Sequence, residues 1–232
     1  MTKLLNGKSH LSEEEIELIG ENHISTNVDT PLKPDAFTLS DETKIALIEE
    51  KFREIMDILG LDLTDDSLSG TPHRVAKMYV KEIFSGLNPK NAPKISLFEN
   101  KYQYNQMLVE KNITLFSHCE HHFVPILGKA HIGYISSGKV IGLSKLNRIV
   151  EYFAKRPQVQ ERLTCQIANR LCEILETQDV AVIIDAKHLC VSTRGVKDTT
   201  SSTVTSVFKG KFEQDAVKKE FLQYLELKTD AF

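Results

Sequence analysis

Apolar residues recur at helical spacing from Ser40 onward, at Ile45, Ile48, Phe52, Ile55, Met56 and Leu59, behind an acidic first turn and ahead of Gly60. That spacing predicts a helix with Gly60 as its stop. Thr71-Pro72 reads as a hydroxyl N-cap followed by proline at the first helical position, which predicts a second helix ending near Gly86. From residue 113 to 140 the chain is rich in Ile, Val, Phe and Tyr and is broken at Gly128 and again at Ser136 to Gly138. This pattern predicts strands joined by a hairpin. Residues 143 to 153 read as a helix, and Pro157 opens another, with Leu163, Ile167, Leu171 and Ile174 on one face. A β-branched run at 180 to 186 and alternation at 202 to 208 predict a second strand pair, and a last helix covers about 214 to 227.

The order of strand pair, helix pair, strand pair and helix predicts an α+β fold, an antiparallel sheet with helices on one face. Residues 1 to 40 have no sustained periodicity and carry Thr30-Pro31 and Lys33-Pro34. They read as a partly ordered arm ahead of a single unit over 41 to 232.

Composition narrows the class without naming a function. With 41% hydrophobic and 26% charged residues in a chain of 232, neither a disordered nor a membrane class is favoured. A formal net charge of -3 argues against whole-surface attraction to nucleic acid or anionic lipid, so any anion site must be local. Residues 1 to 10 contain no apolar leader core, and no apolar run is long enough to span a bilayer. The expectation is a cytoplasmic protein whose four cysteines are thiols available for metal, not a disulfide framework.

The densest chemistry is Ser117-His118-Cys119-Glu120-His121-His122, where Cys119 and His122 form a C-x-x-H pair at the mouth of a predicted strand. Such ligands suit zinc. His188-Leu189-Cys190 follows the run at 180 to 186; on a continued strand His188 and Cys190 would share a face and could enter the same site. Three ligands, Cys119, His122 and Cys190, would leave a fourth tetrahedral position for water, the arrangement of a catalytic zinc. His121 and His188 would then be free for general acid–base work. Spacing alone leaves open a closed, four-ligand structural site with one of those histidines as the fourth ligand. Cys165 and Cys172, seven apart on one helix, read as core residues.

A second constellation is cationic. Arg74 and Lys77 lie on one face of the helix opened by Thr71-Pro72, Lys145 and Arg148 repeat the spacing after Gly142-Leu143-Ser144, and Arg194 precedes Gly195. Taken singly, each is an ordinary solvated residue; together they could surround a polyphosphate if the fold or a neighbouring subunit gathers them. Neither common glycine-rich phosphate loop is present.

Together these segments resemble the GTP cyclohydrolase I family. The stretches that carry the resemblance are Thr71-Pro72-His73-Arg74-Val75-Ala76-Lys77-Met78, Cys119-Glu120-His121-His122-Phe123, Ile141 through Arg148, Arg156 through Leu163, His188-Leu189-Cys190 and Thr193-Arg194-Gly195. The resemblance implies the tunnelling fold, in which subunits join their sheets into a barrel, here in a ten-subunit particle with active sites at subunit interfaces. It implies conversion of GTP and water to formate and 7,8-dihydroneopterin triphosphate, the first step toward folate or tetrahydrobiopterin. Carried over residue by residue, it makes Cys119, His122 and Cys190 the zinc ligands. His188 would protonate guanine N7, His121 would move protons around C8, and Ser144 would serve the later ring closure. Glu161 would accept from N1 and the 2-amino group, with Gln160 supporting base recognition. Arg74, Lys77, Lys145, Arg148 and Arg194 would hold the triphosphate. Ser192-Thr193 and Ser136 depart from the family pattern, and residues 1 to about 35 lie outside the resemblance.

Overall fold

The computed structural model describes residues 11–12, 14–16 and 28–228. Most of the arm expected over residues 1 to 40 lies outside the described residues. Helix α1, Asp41–Ile58, begins where its pattern predicts, and Ser40 caps it by accepting the Thr43 N–H. Helix α2 is Thr71–Met78, but its cap is Gly70 and Thr71 is already helical. Its continuation to Gly86 is not α-helical. Residues Tyr79–Ile83 form a π turn and Ser85–Leu87 a 3-10 turn, and the Gly86 N–H donates to Lys155 O at 2.9 Å.

The strands are β1 (Leu97–Glu99), β2 (Met107–Cys119), β3 (Pro125–Ile135), β4 (Lys139–Ile141), β5 (Pro157–Gln158), β6 (Val180–His188) and β7 (Thr203–Phe208). Between them run α3 (Leu143–Ala154) and α4 (Gln160–Leu175), and α5 (Asp215–Glu226) follows β7. The main sheet has the order β5-β2-β3-β6-β7, antiparallel except for the short β5, which runs parallel to β2. Alternation along the strands sends Val180, Val182 and Ile184 to the face covered by Leu146, Ile149 and Val150 of α3 and by Leu163, Ile167 and Leu171 of α4. All of these are essentially buried, and at about 1.5–3 kcal/mol per large apolar side chain they form the principal core. Ala181 and Ile183 face the other way and pack with Phe212 and with Phe221 of α5. The expected one-sided helix layer is therefore supplemented by a C-terminal helix on the opposite face.

Two punctuation signals in the sequence have different meanings in the fold. Gly128 does not end a strand; it lies within β3 because β6 approaches so closely that a Cβ there would sit 2.3 Å from Asp185 O and 2.5 Å from Ala186 Cβ. The real break between β2 and β3 is residues 120 to 124, which carry the densest chemistry. Pro157 opens no helix. It begins β5, where Gln158 pairs with Cys119, and α4 starts only at Gln160. Because the neighbours of Gly128 are backbone atoms and a methyl fixed directly to the backbone, none of which can swing aside, Gly128→Ala should destabilise the fold by about 3 kcal/mol. For a chain of this size that lowers the thermal unfolding midpoint by roughly 10 °C, measurable by calorimetry.

Candidate metal centre and active site

The site is built where β2 and β6 end, on either side of the start of β3. His118 pairs with Pro125, and Ile126 pairs with His188, so both outer strands stop at the same level. Beyond Cys119 the chain makes a tight turn: the Cys119 N–H donates to Val124 O at 2.9 Å and the Phe123 N–H to Cys119 O at 3.0 Å, with Phe123 in the left-handed region at φ 54°. Within it the His122 N–H points at Cys119 Sγ (3.3 Å), and His122 Nδ1 lies 3.7 Å from that sulfur. Phe123 is wedged against Phe84, ring centroids 5.0 Å apart, and Phe84 also meets His118 at 5.7 Å. The π turn after α2 thus props the metal turn from outside.

Cys190 arrives differently from the expectation of a continued strand. The strand ends at His188, and residues Leu189–Ser192 form one helical turn, so His188 and Cys190 do not share a strand face. Even so, ligand atoms of Cys119, His122 and Cys190 all lie within 4.8 Å of one another. A tetrahedral zinc with ordinary Zn–S and Zn–N lengths separates its ligands by about 3.5–3.8 Å, so this donor set fits such an ion. Burial, and then the adjacent Cys119 sulfur, push the Cys190 thiol up, a cost that a bound cation reverses by holding the thiolate. Among the described residues neither His121 nor His188 belongs to this group.

A cavity of about 610 Å³ opens beside the three ligands, lined by His121, Gln160, Glu161 and His188 together with Cys119 and Cys190. Glu161 is exposed in the first turn of α4. His188 is half-buried; desolvation lowers the pKa of its imidazole, and the nearby Glu161 charge opposes that shift. Arg194 places its guanidinium 2.8 Å from His122 Nε2, the ring atom away from Cys119.

The structure also identifies residues that patterning passed over. Arg162 is buried, its side chain 5% exposed, and forms a two-pronged ion pair with Glu120 in the metal turn. The Glu120 N–H donates to Gln158 O at 3.0 Å, and the buried Gln158 amide donates to Phe153 O and Gln166 Oε1. Gln166 in turn donates to Val28 O, and Val28 and Cys165 complete the cavity wall. Sequence gave no cue to the Arg162–Glu120 pair, because in a helical pattern an arginine at that position reads as solvated.

Not every expected residue lies at this cavity in one chain. Arg74 is exposed and donates to Ser67 O and Thr71 Oγ1, and Lys77 and Ser144 are exposed as well. Lys145 is half-buried, and Arg148 lines a separate cleft with Gly86 and Tyr152. None of these five lines the cavity beside the metal ligands.

Breaking the buried pair strands a carboxylate in the metal turn. Arg162→Met should therefore cost about 3 kcal/mol, seen as a thermal midpoint lowered by roughly 10 °C, while Lys155→Met on the exposed Glu151 pair should change it by no more than about 2 °C.

The sequence profile of the GTP cyclohydrolase I family matches residues 48–226. A GTP cyclohydrolase 1 of Flavobacterium johnsoniae is 61% identical over 218 residues, covering 94% of this chain and 98% of that protein. Its counterpart in Citrobacter koseri is 51% identical over 211 residues, covering 90% and 95%, and one from Escherichia coli is 52% identical over the same length. The family profile leaves the first 47 residues outside its match, while the Flavobacterium match, at 94% coverage, reaches into the first 35. On the profile match and these identities, the chain belongs to the GTP cyclohydrolase I family.

Proposed function

We propose that this chain hydrolyses GTP at C8 of the guanine ring, with net consumption of one water, release of formate and formation of 7,8-dihydroneopterin triphosphate, the first step toward folate or tetrahydrobiopterin. The observation that carries the reading is the meeting of the Cys119, His122 and Cys190 ligand atoms beside one cavity that His121, His188 and Glu161 also line. Cys119, His122 and Cys190 would hold the zinc, which would supply Lewis acidity and make a water acidic enough to ionise near neutral pH.

The chain's own residues do the rest. Glu161, at the mouth of the cavity, accepts from guanine N1–H and the 2-amino group, a two-pronged match for a carboxylate. His188 donates a proton to N7 while water adds to C8, and His121 takes and returns the proton of that water. Ser144 serves the later ring closure. Arg194, already beside His122, and Arg74, Lys77, Lys145 and Arg148 hold the triphosphate, the last four converging from neighbouring subunits of a homo-oligomer, a decamer in this reading. Supporting that assembly, β5 covers β2 only at His118 and Cys119, and β7 is the outermost strand, so among the described residues two sheet edges await partners. In this reading residues 41 to 232 are the catalytic unit, residues 1 to 40 form an arm, and the protein works in the cytoplasm. Among the described residues no helix is long and apolar enough to cross a membrane.

Zinc-loaded protein incubated with GTP should release formate and yield a product that fluoresces as a pterin after oxidation. Cys190→Ser should lower both signals at least about 100-fold, and chelation should abolish them until zinc is returned. Silence from wild type holding one zinc per chain would overturn the assignment in favour of a binding protein without turnover. Arg194→Ala should raise KM for GTP about 10-fold through the loss of a charge-assisted contact, with a smaller change in kcat.

A further inference from the structure

Gln160, 2% exposed, lines the cavity, and its side-chain amide is hydrogen-bonded within the protein. Its amide nitrogen lies 2.8 Å from Thr203 O, 3.1 Å from Ile184 O and 3.1 Å from Thr205 Oγ1. Two of these are carbonyls, which only accept, so the nitrogen end of the amide must face them. The hydroxyls agree. Thr164 Oγ1 donates its one hydrogen to Gln160 O at 2.7 Å, so in its 2.7 Å contact with Thr205 it accepts, and Thr205 spends its own hydrogen there. Thr205 Oγ1 therefore offers the Gln160 nitrogen only lone pairs, as the two carbonyls do, and the three acceptors share the amide's two hydrogens. With the nitrogen end fixed, Oε1 is the atom facing His188 Nε2 at 2.8 Å. A carboxamide oxygen only accepts, so the hydrogen belongs to His188 Nε2.

We propose that Gln160 is the positioning residue for His188, holding the imidazole as its Nε2–H tautomer so that Nδ1 is the atom that exchanges a proton with the substrate. The inference rests on the function proposed above. Bare in this tautomer, Nδ1 first takes up a proton from water; the imidazolium so formed passes that proton to the N7 lone pair and returns to the Nε2–H tautomer, with Nε2–H bonded to Gln160 throughout. The opposite tautomer would require the amide to turn over and set its oxygen against the carbonyls of Ile184 and Thr203.

The test is long-range proton–nitrogen correlation on zinc-loaded, full-length protein carrying 15N-histidine, with the His188 signals assigned by their loss in His188→Gln. Neutral His188 should show a protonated Nε2 and a bare Nδ1. In Gln160→Met, of similar length but without the amide, the tautomers should mix and kcat should fall about 10- to 100-fold, with KM for GTP changed less than about 3-fold and zinc content unchanged. A wild-type ring protonated on Nδ1 overturns the proposal whether or not the variant folds. So does a variant whose KM rises while kcat holds, the mark of direct base contact. The tautomer is read without turnover, so absence of activity in wild type would sink the function reading and leave the tautomer result to be judged separately.

Discussion

The site depends first on the register of β3 with its two neighbours. Because β3 starts opposite the last residues of both β2 and β6, the turn that follows Cys119 and the turn that contains Cys190 leave the sheet at one level. A slip of one residue in either pairing would send the apolar sets of β2 or β6 to the wrong face, so the same burial that forms the core also fixes where the ligands meet. Ile126, fully buried and paired with His188, sits where the two demands coincide.

The N-terminus of α4 is the second organiser. At about 100° per residue, three consecutive side chains leave the helix in different directions. Gln160 reaches β6, β7 and His188, Glu161 reaches the cavity, and Arg162 reaches back to the metal turn. One turn of helix therefore links the cavity wall, His188 and the turn after Cys119. This accounts for a buried guanidinium at a position where a helix usually presents one to water.

Much of this was legible in the sequence, for physical reasons that differ by residue. The Cys119–His122 pair is local, and C-x-x-H spacing describes a tight turn whatever surrounds it. Cys190 was also found, but through the wrong local geometry, since alternation cannot show where a strand stops and a helical turn begins. Gly128 and Pro157 read as punctuation because their roles are set by other strands: one admits β6, the other leads into a bridge to β2. Glu120, Gln158, Gln160 and Arg162 are polar residues buried by mutual satisfaction, and the partners that make them interior lie far away in sequence. The basic residues of α2 and α3 were visible as charges, but within one chain they do not line the cavity.

The loop of hydrogen bonds through Gln160, Thr205 and Thr164 has a consequence of its own. A cycle made only of hydroxyls or waters can run clockwise or anticlockwise, and its protons fluctuate between the two. Here the cycle closes on a peptide carbonyl, which has no hydrogen to give, so only one sense of circulation exists. The direction is set by the fold before any nucleotide arrives. What the active site inherits from it is a preset polarity, with no reorganisation left to perform when the reaction begins.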